Sequence, residues 1–316
     1  FASPAMPQIV DVAAGILLDA DGRFLLASRP PGKVYAGYWE FPGGKFEAGE
    51  TAQQALAREL AEELGIIVTH ATPWIVQTFT YPHATVQLHF FRVTGWHGDP
   101  HPHEGQSFAW QRPGALTVSP ILPANGPILR GLAQPSVIAF SNAAELGEES
   151  FLHRLDERQA NSPVRLVLRE PQLDPASYRK LAEKILARLR HGTLLLHRDA
   201  TLAREIGAAG VHLAARDLIN LPCRPNGLDW IGASVHNAAE LAAASRMGLD
   251  YAVLGHIAPT RSHPDSPPLG WDRFSQLLSQ GWPLPIYAIG GMTFSDIEPS
   301  IACGGQGIAM LRAFWE

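Results

Sequence analysis

The stretch from Gly43 to Ile66, GGKFEAGETAQQALARELAEELGI, concentrates carboxylates beside an arginine. Glu59, Glu62 and Glu63 are spaced three and four residues apart, and Arg58 precedes them. On a helix this spacing puts the three carboxylates on one face, where they repel one another unless a positive charge lies among them. Arg58 can neutralise one of them, and a hard cation such as Mg2+ prefers oxygen ligands and could bind the rest. The spacing therefore indicates a metal that holds substrate phosphates, with an exposed acidic helix face as the alternative.

A helix from Thr51 to Leu64 would position these acids. Thr51 is a suitable N-cap, Gln54 occupies the third helical position of a capping box, and Gly65 suits the C-terminal cap. Leucines recur every four residues and predict a buried stripe beside the acidic face: Leu56, Leu60 and Leu64. The glycines of the preceding PGGKFEAGE segment, predicted as a loop, would let backbone approach the same ions.

Composition limits the classes of function. A length of 316 residues suggests two domains, and 46% hydrophobic residues can form a core. The net charge of −5 argues against capture of nucleic acid polymers or anionic membranes. Two cysteines, no bilayer-spanning apolar run and a start (FASPAMPQ) unlike a secretory signal lead us to expect a cytoplasmic protein.

The pattern of elements changes near residue 134. Strands at IVDVAAGILL, GRFLLASR, WIVQTFTYP and ATVQLHFFRVTGW, with a last helix over Gly126–Leu132, predict an α/β/α sandwich with a mixed sheet over residues 8–133. Over residues 135–316, helical patterns separate eight short apolar runs, which predict a closed (β/α)8 TIM barrel. Those runs are SVIAFSN, VRLVLRE, GTLLLHRD, GVHLAA, DWIGASVH, DYAVLGH, PIYAIGG and GIAMLR.

The first half resembles the Nudix hydrolases. Gly44, five residues, Glu50, seven residues and then RELAEELGI match the complete Nudix box. Val10–Leu132 as a whole is similar to the MutT branch, which hydrolyses 8-oxo-dGTP to the monophosphate and pyrophosphate. The resemblance implies dependence on Mg2+, with Mn2+ as a substitute, and a nucleotide substrate.

Residue roles follow from that resemblance. It implies catalytic and metal-binding groups at Arg58, Glu59, Glu62, Glu63 and Glu104, with the Gly43 carbonyl as a further ligand. It implies substrate contacts at Arg29, Glu40, Phe41, Pro42 and Asn125. Val34 and Ala84 stand where the branch carries a histidine and an arginine, a departure that concerns base selectivity rather than hydrolysis.

The second half, Val137–Trp315, resembles the thiamine phosphate synthase and TenI superfamily. Its segments GVHLAARDL, GASVHNAAEL, DYAVLGHIAPT and PIYAIGGMT are similar to that group. Gly290 and Gly291 follow a predicted strand, where barrels bind phosphate with backbone N–H groups; a tight turn is the alternative. Arg312 could reach such a phosphate or fill the site.

Synthase chemistry is disfavoured by the residues of this half. His197-Arg198 replaces an Asn-Asp pair, Arg169-Glu170-Pro171 replaces Arg-Glu-Lys, and Asp217 remains as a single carboxylate ligand. TenI-type tautomerisation fits better, with His236 of the SVH motif as the candidate acid and base. The alternative is that this histidine only caps the next helix or is hydrogen-bonded under a loop.

Three functional hypotheses remain. The first is hydrolysis of oxidised nucleoside triphosphates by a unit joined to a TenI-like barrel. The second keeps the Nudix catalyst but gives it a pyrimidine or thiamine-type diphosphate. In the third, the barrel is a non-catalytic sensor or scaffold that binds a thiazole phosphate-like ligand.

Overall fold

The computed structural model describes residues 8–316, and the chain divides into two units between Gln134 and Pro135. The FASPAMPQ segment, which we predict is not a secretory signal, lies outside the described residues except for Gln8. Among the described residues, none of the helices combines the length and the apolar character needed to cross a membrane.

Within residues 8–134, the strands form two sheets, with one helix after the fourth strand and one at the end of the unit. The elements are β1 (Ile9–Leu17), β2 (Phe24–Ser28), β3 (Trp39–Glu40), β4 (Gly43–Lys45), α1 (Ala52–Leu64), β5 (Ile67–Thr80), β6 (Thr85–His97), β7 (Phe108–Gln111) and α2 (Gly126–Leu132). One sheet has the order β4-β1-β6-β5, and the other has the order β3-β2-β7. β1 runs parallel to β6 and antiparallel to β4, so the first sheet is mixed, as predicted.

Strand β1 separates two hydrophobic clusters because its side chains alternate between the faces of the sheet. Ala13 and Leu17 pack with the buried leucines of α1, whereas Ala14 and Ile16 pack with Ile128 of α2. A helix therefore covers each face, and the predicted sandwich is confirmed.

Strands β5 and β6 are joined by a turn at Pro82–His83, where the Tyr81 N–H donates to the Ala84 carbonyl at 2.8 Å. Several local predictions are corrected by the structure. β5 begins at Ile67 rather than Trp74, since register shifts allow the strand to continue past irregular pairs. The predicted loop at PGGK contains β4, which is too short to show a period of its own, and β3 and β7 were not predicted.

Helix α1 has the predicted termini. The Thr51 side chain accepts from the Gln54 N–H, the Gln54 side chain accepts from the Thr51 N–H, and Gly65 adopts a left-handed conformation at the C-cap. The leucine stripe is fully buried. Its burial fixes the rotation of the helix and turns the acidic face towards β4.

Within residues 135–316, parallel strands close into a barrel in the order β10-β11-β12-β13-β14-β15-β8-β9. The strands are β8 (Val137–Phe140), β9 (Val164–Leu168), β10 (Gly192–His197), β11 (Gly210–Leu213), β12 (Trp230–Val235), β13 (Tyr251–Gly255), β14 (Ile286–Ile289) and β15 (Gly307–Met310). The helices are α3 (Ala143–Leu146), α4 (Glu148–Asn161), α5 (Pro175–Arg188), α6 (Ala200–Ile206), α7 (Ala215–Asn220), α8 (Ala238–Arg246), α9 (Gly270–Leu278), α10 (Ile297–Ala302) and α11 (Arg312–Trp315). Each strand falls in one of the eight predicted apolar runs, so the barrel is confirmed.

Removing the N-cap of α1 tests how far local capping holds the acidic helix in place. We expect Thr51→Ala to destabilise the helix by about 1 kcal/mol, because the Gln54 N–H loses the side-chain oxygen that accepts its hydrogen bond. Hydrogen exchange of the α1 amides should accelerate about fivefold. Gln53→Ala, at the exposed neighbouring position, is the matched control. Equal protection in the two variants would contradict the expectation.

Candidate active site

The main chain of β4 lies directly against the carboxylates of α1. The Gly43 N–H donates to Glu63 Oε2 at 3.0 Å. Gly43 has a φ of +155°, and a Cβ there would lie 2.0 Å from the Ala13 carbonyl oxygen on β1. A Cβ on Gly44 would lie 2.3 Å from the carboxyl carbon of Glu59. Only glycine permits both approaches, which explains why the acids follow a GG sequence.

Arg58 neutralises one side of the acidic cluster. Its guanidinium donates to both carboxylate oxygens of Glu50 at 2.9 Å and to Glu59 Oε1 at 2.9 Å. It also reaches Glu62 Oε2 at 3.3 Å and the Lys45 carbonyl at 2.9 Å. These hydrogen bonds, that to Glu50 foremost, raise the pKa of Arg58, which keeps its charge at any pH of interest. Glu59 and Glu62 therefore share one cation.

Glu63 lies on the other side of the cluster, and the only hydrogen bond of its carboxylate among the described residues is from the Gly43 N–H. Burial raises the pKa of Glu63 to about 8, and the nearby carboxylates of Glu40, Glu104 and Glu59 add to the shift. The Gly43 N–H opposes it. Glu104 is itself half-exposed and pairs with Lys33 at 3.5 Å. Within the acidic cluster, Glu63 is therefore the carboxylate whose charge is least compensated.

The acidic cluster has the chemistry of a divalent-cation site but not the arrangement of one. Among residues 8–316, no group of three or more His, Cys, Asp or Glu side chains is arranged to hold a metal ion, since Glu59 and Glu62 turn towards Arg58. The chemistry nevertheless fits. Carboxylate oxygens are the ligands that Mg2+ prefers, and a cation beside Glu63 would relieve the repulsion that raises its pKa.

Asn125 belongs to a turn that is tied to the EFPGG segment. It is 3% exposed, and its Oδ1 accepts from the Phe41 N–H at 2.9 Å. The preceding N–H, that of Ala124, donates to the Tyr81 hydroxyl oxygen at 3.1 Å. The Phe41 ring packs between Phe24 and Phe90, with centroids 5.6 and 5.9 Å away. The backbone N–H of Phe41 thus orients Asn125, while the phenyl ring of Phe41 belongs to the hydrophobic core.

Arg29 and Glu40 form a partly buried ion pair. Arg29 Nη1 lies 2.9 Å from Glu40 Oε2, and Arg29 Nε donates to the Val34 carbonyl at 2.7 Å. Burial raises the pKa of Glu40, although the Arg29 guanidinium opposes the shift. Pro42 is buried, and its carbonyl accepts from the Gly15 N–H at 2.8 Å. The structure thus brings Glu40 close to Glu63 and gives Pro42 a backbone role.

An aromatic cluster near Asn125 was missed by the sequence analysis. Tyr35 contacts Tyr38 and Tyr81, at centroid distances of 5.1 and 5.5 Å, and His83 stacks on Tyr81 at 5.5 Å. Aromatic faces of this kind can stack on a planar base. The frequency of aromatic residues in VYAGYWEF and TFTYPH is the signal that could have revealed it.

In the barrel, His236 follows β12 and pairs with a carboxylate. His236 Nδ1 lies 3.0 Å from Glu240 Oε1, on the first turn of α8. The N-cap of that helix is Asn237, whose side chain accepts from the Glu240 N–H at 2.9 Å. His236 is exposed and does not cap the helix, and among the described residues its other ring nitrogen, Nε2, has no hydrogen-bond partner.

The two glycines after β14 both have left-handed backbone conformations. Gly290 has a φ of +108° and Gly291 a φ of +68°, and a Cβ on Gly290 would lie 2.4 Å from the Cβ of His256. The turn therefore requires glycine whether or not it binds phosphate. Arg312 pairs with Glu145 at 2.7 Å, so in this structure its charge is already compensated.

Asp217, the carboxylate that a synthase-type metal would need, already forms an ion pair with Arg198. Arg198 donates to both oxygens of Asp217, at 2.9 and 2.8 Å, and holds the pKa of Asp217 below its usual range. Burial and the charges of Arg169 and Arg198 lower the pKa of His197 to about 4. Glu170 is buried and accepts from Ser141 and the Ala144 N–H, a structural role.

A second feature missed from the sequence lies inside the barrel. His212 is fully buried, with Nδ1 at 2.8 Å from the Tyr251 hydroxyl and Nε2 at 2.8 Å from Ser234 Oγ. Burial lowers the pKa of His212 to about 3, so the ring is neutral. A histidine within the apolar run GVHLAA was the available signal.

Comparisons with known proteins find similar proteins for each of the two units. The family described as a NUDIX domain matches residues 13–131, and the family described as thiamine monophosphate synthase matches residues 137–314. An 8-oxo-dGTP diphosphatase of Haemophilus influenzae is 40% identical over 40% of this chain and 92% of its own length. A CTP pyrophosphohydrolase of Escherichia coli is 38% identical over 39% of this chain and 90% of its own length. The "Putative thiamine-phosphate synthase 2" of Aquifex aeolicus is 31% identical over 58% of this chain and 98% of its own length.

The fold and the acidic site define a two-domain α/β protein in which a Nudix sandwich precedes a parallel barrel. The chain belongs to the Nudix family through its first unit and to the thiamine monophosphate synthase family through its second. Membership in the Nudix family supports a pyrophosphohydrolase activity for the first unit.

Replacing Glu63 tests whether its carboxylate lacks a cation. Its pKa rises from 4.5 to about 8 on folding, so wild-type stability falls as the pH rises between those values and the folded chain retains a proton that the unfolded chain releases. Glu63→Gln mimics the protonated form. In the absence of divalent metal at pH 8 we expect it to be more stable than wild type by on the order of 1 kcal/mol, with no difference below pH 4.5.

Urea unfolding of the full chain in chelator would measure this difference. Glu62→Gln is the matched control, because Glu62 is exposed and pairs with Arg58, and it should give no gain. Added Mg2+ should stabilise wild type more than Glu63→Gln. A Glu63→Gln variant less stable than wild type at pH 8 would contradict the assignment.

Proposed function

We propose that the first unit hydrolyses oxidised purine nucleoside triphosphates, converting 8-oxo-dGTP to 8-oxo-dGMP and pyrophosphate with Mg2+, or with Mn2+ as a substitute. The observation that carries the hydrolytic part is Glu63. Its carboxylate is partly buried against the Gly43 N–H and repelled by three other carboxylates, an arrangement that favours a cation carrying a phosphate chain.

The ion would be held by Glu59, Glu62, Glu63, Glu104 and the Gly43 carbonyl. When bound, a divalent ion lowers the pKa of a bound water and neutralises charge at phosphorus. Arg58 holds Glu59 through a 2.9 Å hydrogen bond, and the Glu59 carboxylate packs against Gly44. Glu59 or Glu104 would accept the proton of the attacking water. Arg29, which already lies beside Glu40, would bind the phosphate chain.

Selection of the base would depend on Asn125. Because only an acceptor can satisfy the Phe41 N–H, the Asn125 oxygen faces Phe41 and its amide nitrogen remains a donor. Among the described residues that nitrogen has no hydrogen-bond partner. It could donate to a carbonyl oxygen of an oxidised purine, while the aromatic cluster of Tyr35, Tyr38, Tyr81 and His83 offers stacking surfaces nearby.

A second candidate substrate is a pyrimidine-type or thiamine-type diphosphate. One relative at 38% identity is named a CTP pyrophosphohydrolase, close to the 40% of the 8-oxo-dGTP diphosphatase. The second unit belongs to a family named for thiamine monophosphate synthesis. The tie between Asn125 and Phe41 favours the purine, so we place the oxidised nucleotide first.

For the barrel we propose binding of a thiazole phosphate-like monoester at Gly290 and Gly291, with His236 as the acid and base. Glu240 would hold the His236 ring through Nδ1 and leave the other nitrogen for proton transfer. Synthase chemistry is disfavoured because Asp217 is already neutralised by Arg198. If His236 performs no chemistry, the same site would serve as a sensor for the phosphate ligand.

A substrate panel tests the proposed hydrolysis. We expect Mg2+-dependent release of pyrophosphate from 8-oxo-dGTP to exceed release of pyrophosphate or phosphate from dGTP, CTP, hydroxymethylpyrimidine diphosphate and thiamine diphosphate. Glu63→Gln and Glu62→Gln should each remove nearly all activity while the chain stays folded, because each loses a metal ligand and no core contact. A preference for the thiamine-type compounds would favour the second candidate, and near-normal turnover in both variants would refute the metal assignment.

Two substitutions of Asn125 separate base recognition from structural support. Asn125→Asp keeps the acceptor for the Phe41 N–H but loses the amide donor, whereas Asn125→Ala loses both. We expect both variants to lose up to about tenfold of the preference for 8-oxo-dGTP over dGTP, since one hydrogen bond is worth about 0.5–1.5 kcal/mol net. Asn125→Ala leaves the Phe41 N–H without an acceptor and should lose about 1–3 kcal/mol of stability at every pH, whereas Asn125→Asp should lose stability only where its buried carboxyl ionises. An unchanged ratio of kcat/KM in Asn125→Asp would exclude this role.

A further inference from the structure

A loop after β6 folds back onto the carboxyl end of α1 and brings two histidines together. The His101 N–H donates to the Leu64 carbonyl at 3.1 Å, and the His103 N–H donates to the Glu63 carbonyl at 3.3 Å. These bonds satisfy carbonyl groups that the end of a helix leaves without partners. The loop is therefore docked on the helix, and the two imidazoles are held over its last turn.

The hydrogen bonds of the two rings determine where their protons lie. His101 Nδ1 is 2.9 Å from the Asp99 carbonyl oxygen, and His103 Nδ1 is 3.1 Å from the Glu62 carbonyl oxygen. A carbonyl oxygen can only accept, so each Nδ1 carries a hydrogen and each Nε2 of a neutral ring carries a lone pair. The two Nε2 atoms lie 2.6 Å apart. Two lone pairs at that distance repel unless a positive centre lies between them.

The surroundings of the pair also favour positive charge. Both rings pack over Gly65, where a Cβ would lie 2.8 Å from atoms of His101 and of His103. The carboxyl end of a helix carries partial negative charge, and α1 has no basic residue in its last turn to compensate it. A cation held by the two imidazoles would supply that compensation.

We propose that His101 and His103 form a binding site for a divalent transition-metal ion of the type that imidazole prefers, such as Zn2+, Ni2+ or Cu2+. Nitrogen–metal distances of about 2.0–2.1 Å at a tetrahedral angle require the Nε2 atoms to separate to about 3.3 Å, which small rotations of two exposed rings provide. Water would complete the coordination.

This site differs in chemistry from the proposed Mg2+ site. Its ligands are imidazole nitrogens that face the end of α1, whereas the carboxylates of Glu59 and Glu63 face Arg58 and Gly43. Its bound ion would clip the Asp99–His103 loop to the helix. Glu104 follows His103 directly, so its backbone would then be held in place by the docked loop.

Calorimetric titration of the full chain with ZnCl2, in a large excess of Mg2+, tests the proposal. We expect one Zn2+ site that remains in Glu62→Gln and that His101→Gln or His103→Gln weakens at least about tenfold. His153→Gln, which removes an exposed histidine of α4, is the matched control and should bind as wild type. Cu2+ bound to the wild type should show coupling to imidazole nitrogen in its electron paramagnetic resonance spectrum, and that coupling should be lost in the double variant.

Zn2+ affinity that is equal in wild type and in both histidine variants would overturn the proposal. Absence of any Zn2+ site would also overturn it. Circular dichroism of each variant separates loss of binding from loss of folding, and the double variant His101→Gln/His103→Gln provides a second test if one single variant unfolds.

Discussion

The close packing of carboxylates against glycine backbone is the constraint on which the first unit depends. Burying a carboxylate costs free energy unless a hydrogen bond or a positive charge compensates it. Gly43 supplies one N–H to Glu63 and Gly44 makes room for Glu59, which no residue with a Cβ could do. Arg58 compensates only one side of the cluster. The side that remains uncompensated is where a cation and its phosphate chain would be most stabilised.

The rest of the sandwich serves to hold this arrangement. The leucine stripe of α1 packs on one face of β1 and determines which face of the helix meets β4, while α2 packs on the other face. The turn before α2 carries Asn125, which bonds to the Phe41 backbone three residues before Gly44. A single short segment, from Phe41 to Gly44, thus links the acids that would act on phosphate to the amide that would select a base.

Secondary-structure elements could be predicted from the sequence where they were long enough to show a hydrophobic period or carried recognisable capping residues. The helix α1, its capping box and the eight barrel strands were predicted because leucine spacing, turn residues and apolar runs each act locally. The two-residue and three-residue strands β3 and β4 were not, since so short a strand has no period and exists only through its pairing partner. The same limit applies to the sites. Candidate acids could be named from their spacing, but the sharing of Arg58 and the isolation of Glu63 depend on side-chain packing.

The two units show opposite solutions to the same electrostatic problem. In the barrel, Arg198 forms a bidentate ion pair with Asp217 and lowers the pKa of Asp217. The Asp217 carboxylate therefore requires no further cation. In the sandwich, Glu63 has only a backbone N–H, and its pKa rises. A protein that binds a hard metal must leave a carboxylate uncompensated in the metal-free state and bear the cost in stability. By that criterion the proposed metal-dependent phosphate chemistry belongs to the first unit, and a phosphate in the barrel would be bound through backbone N–H groups and protonated side chains.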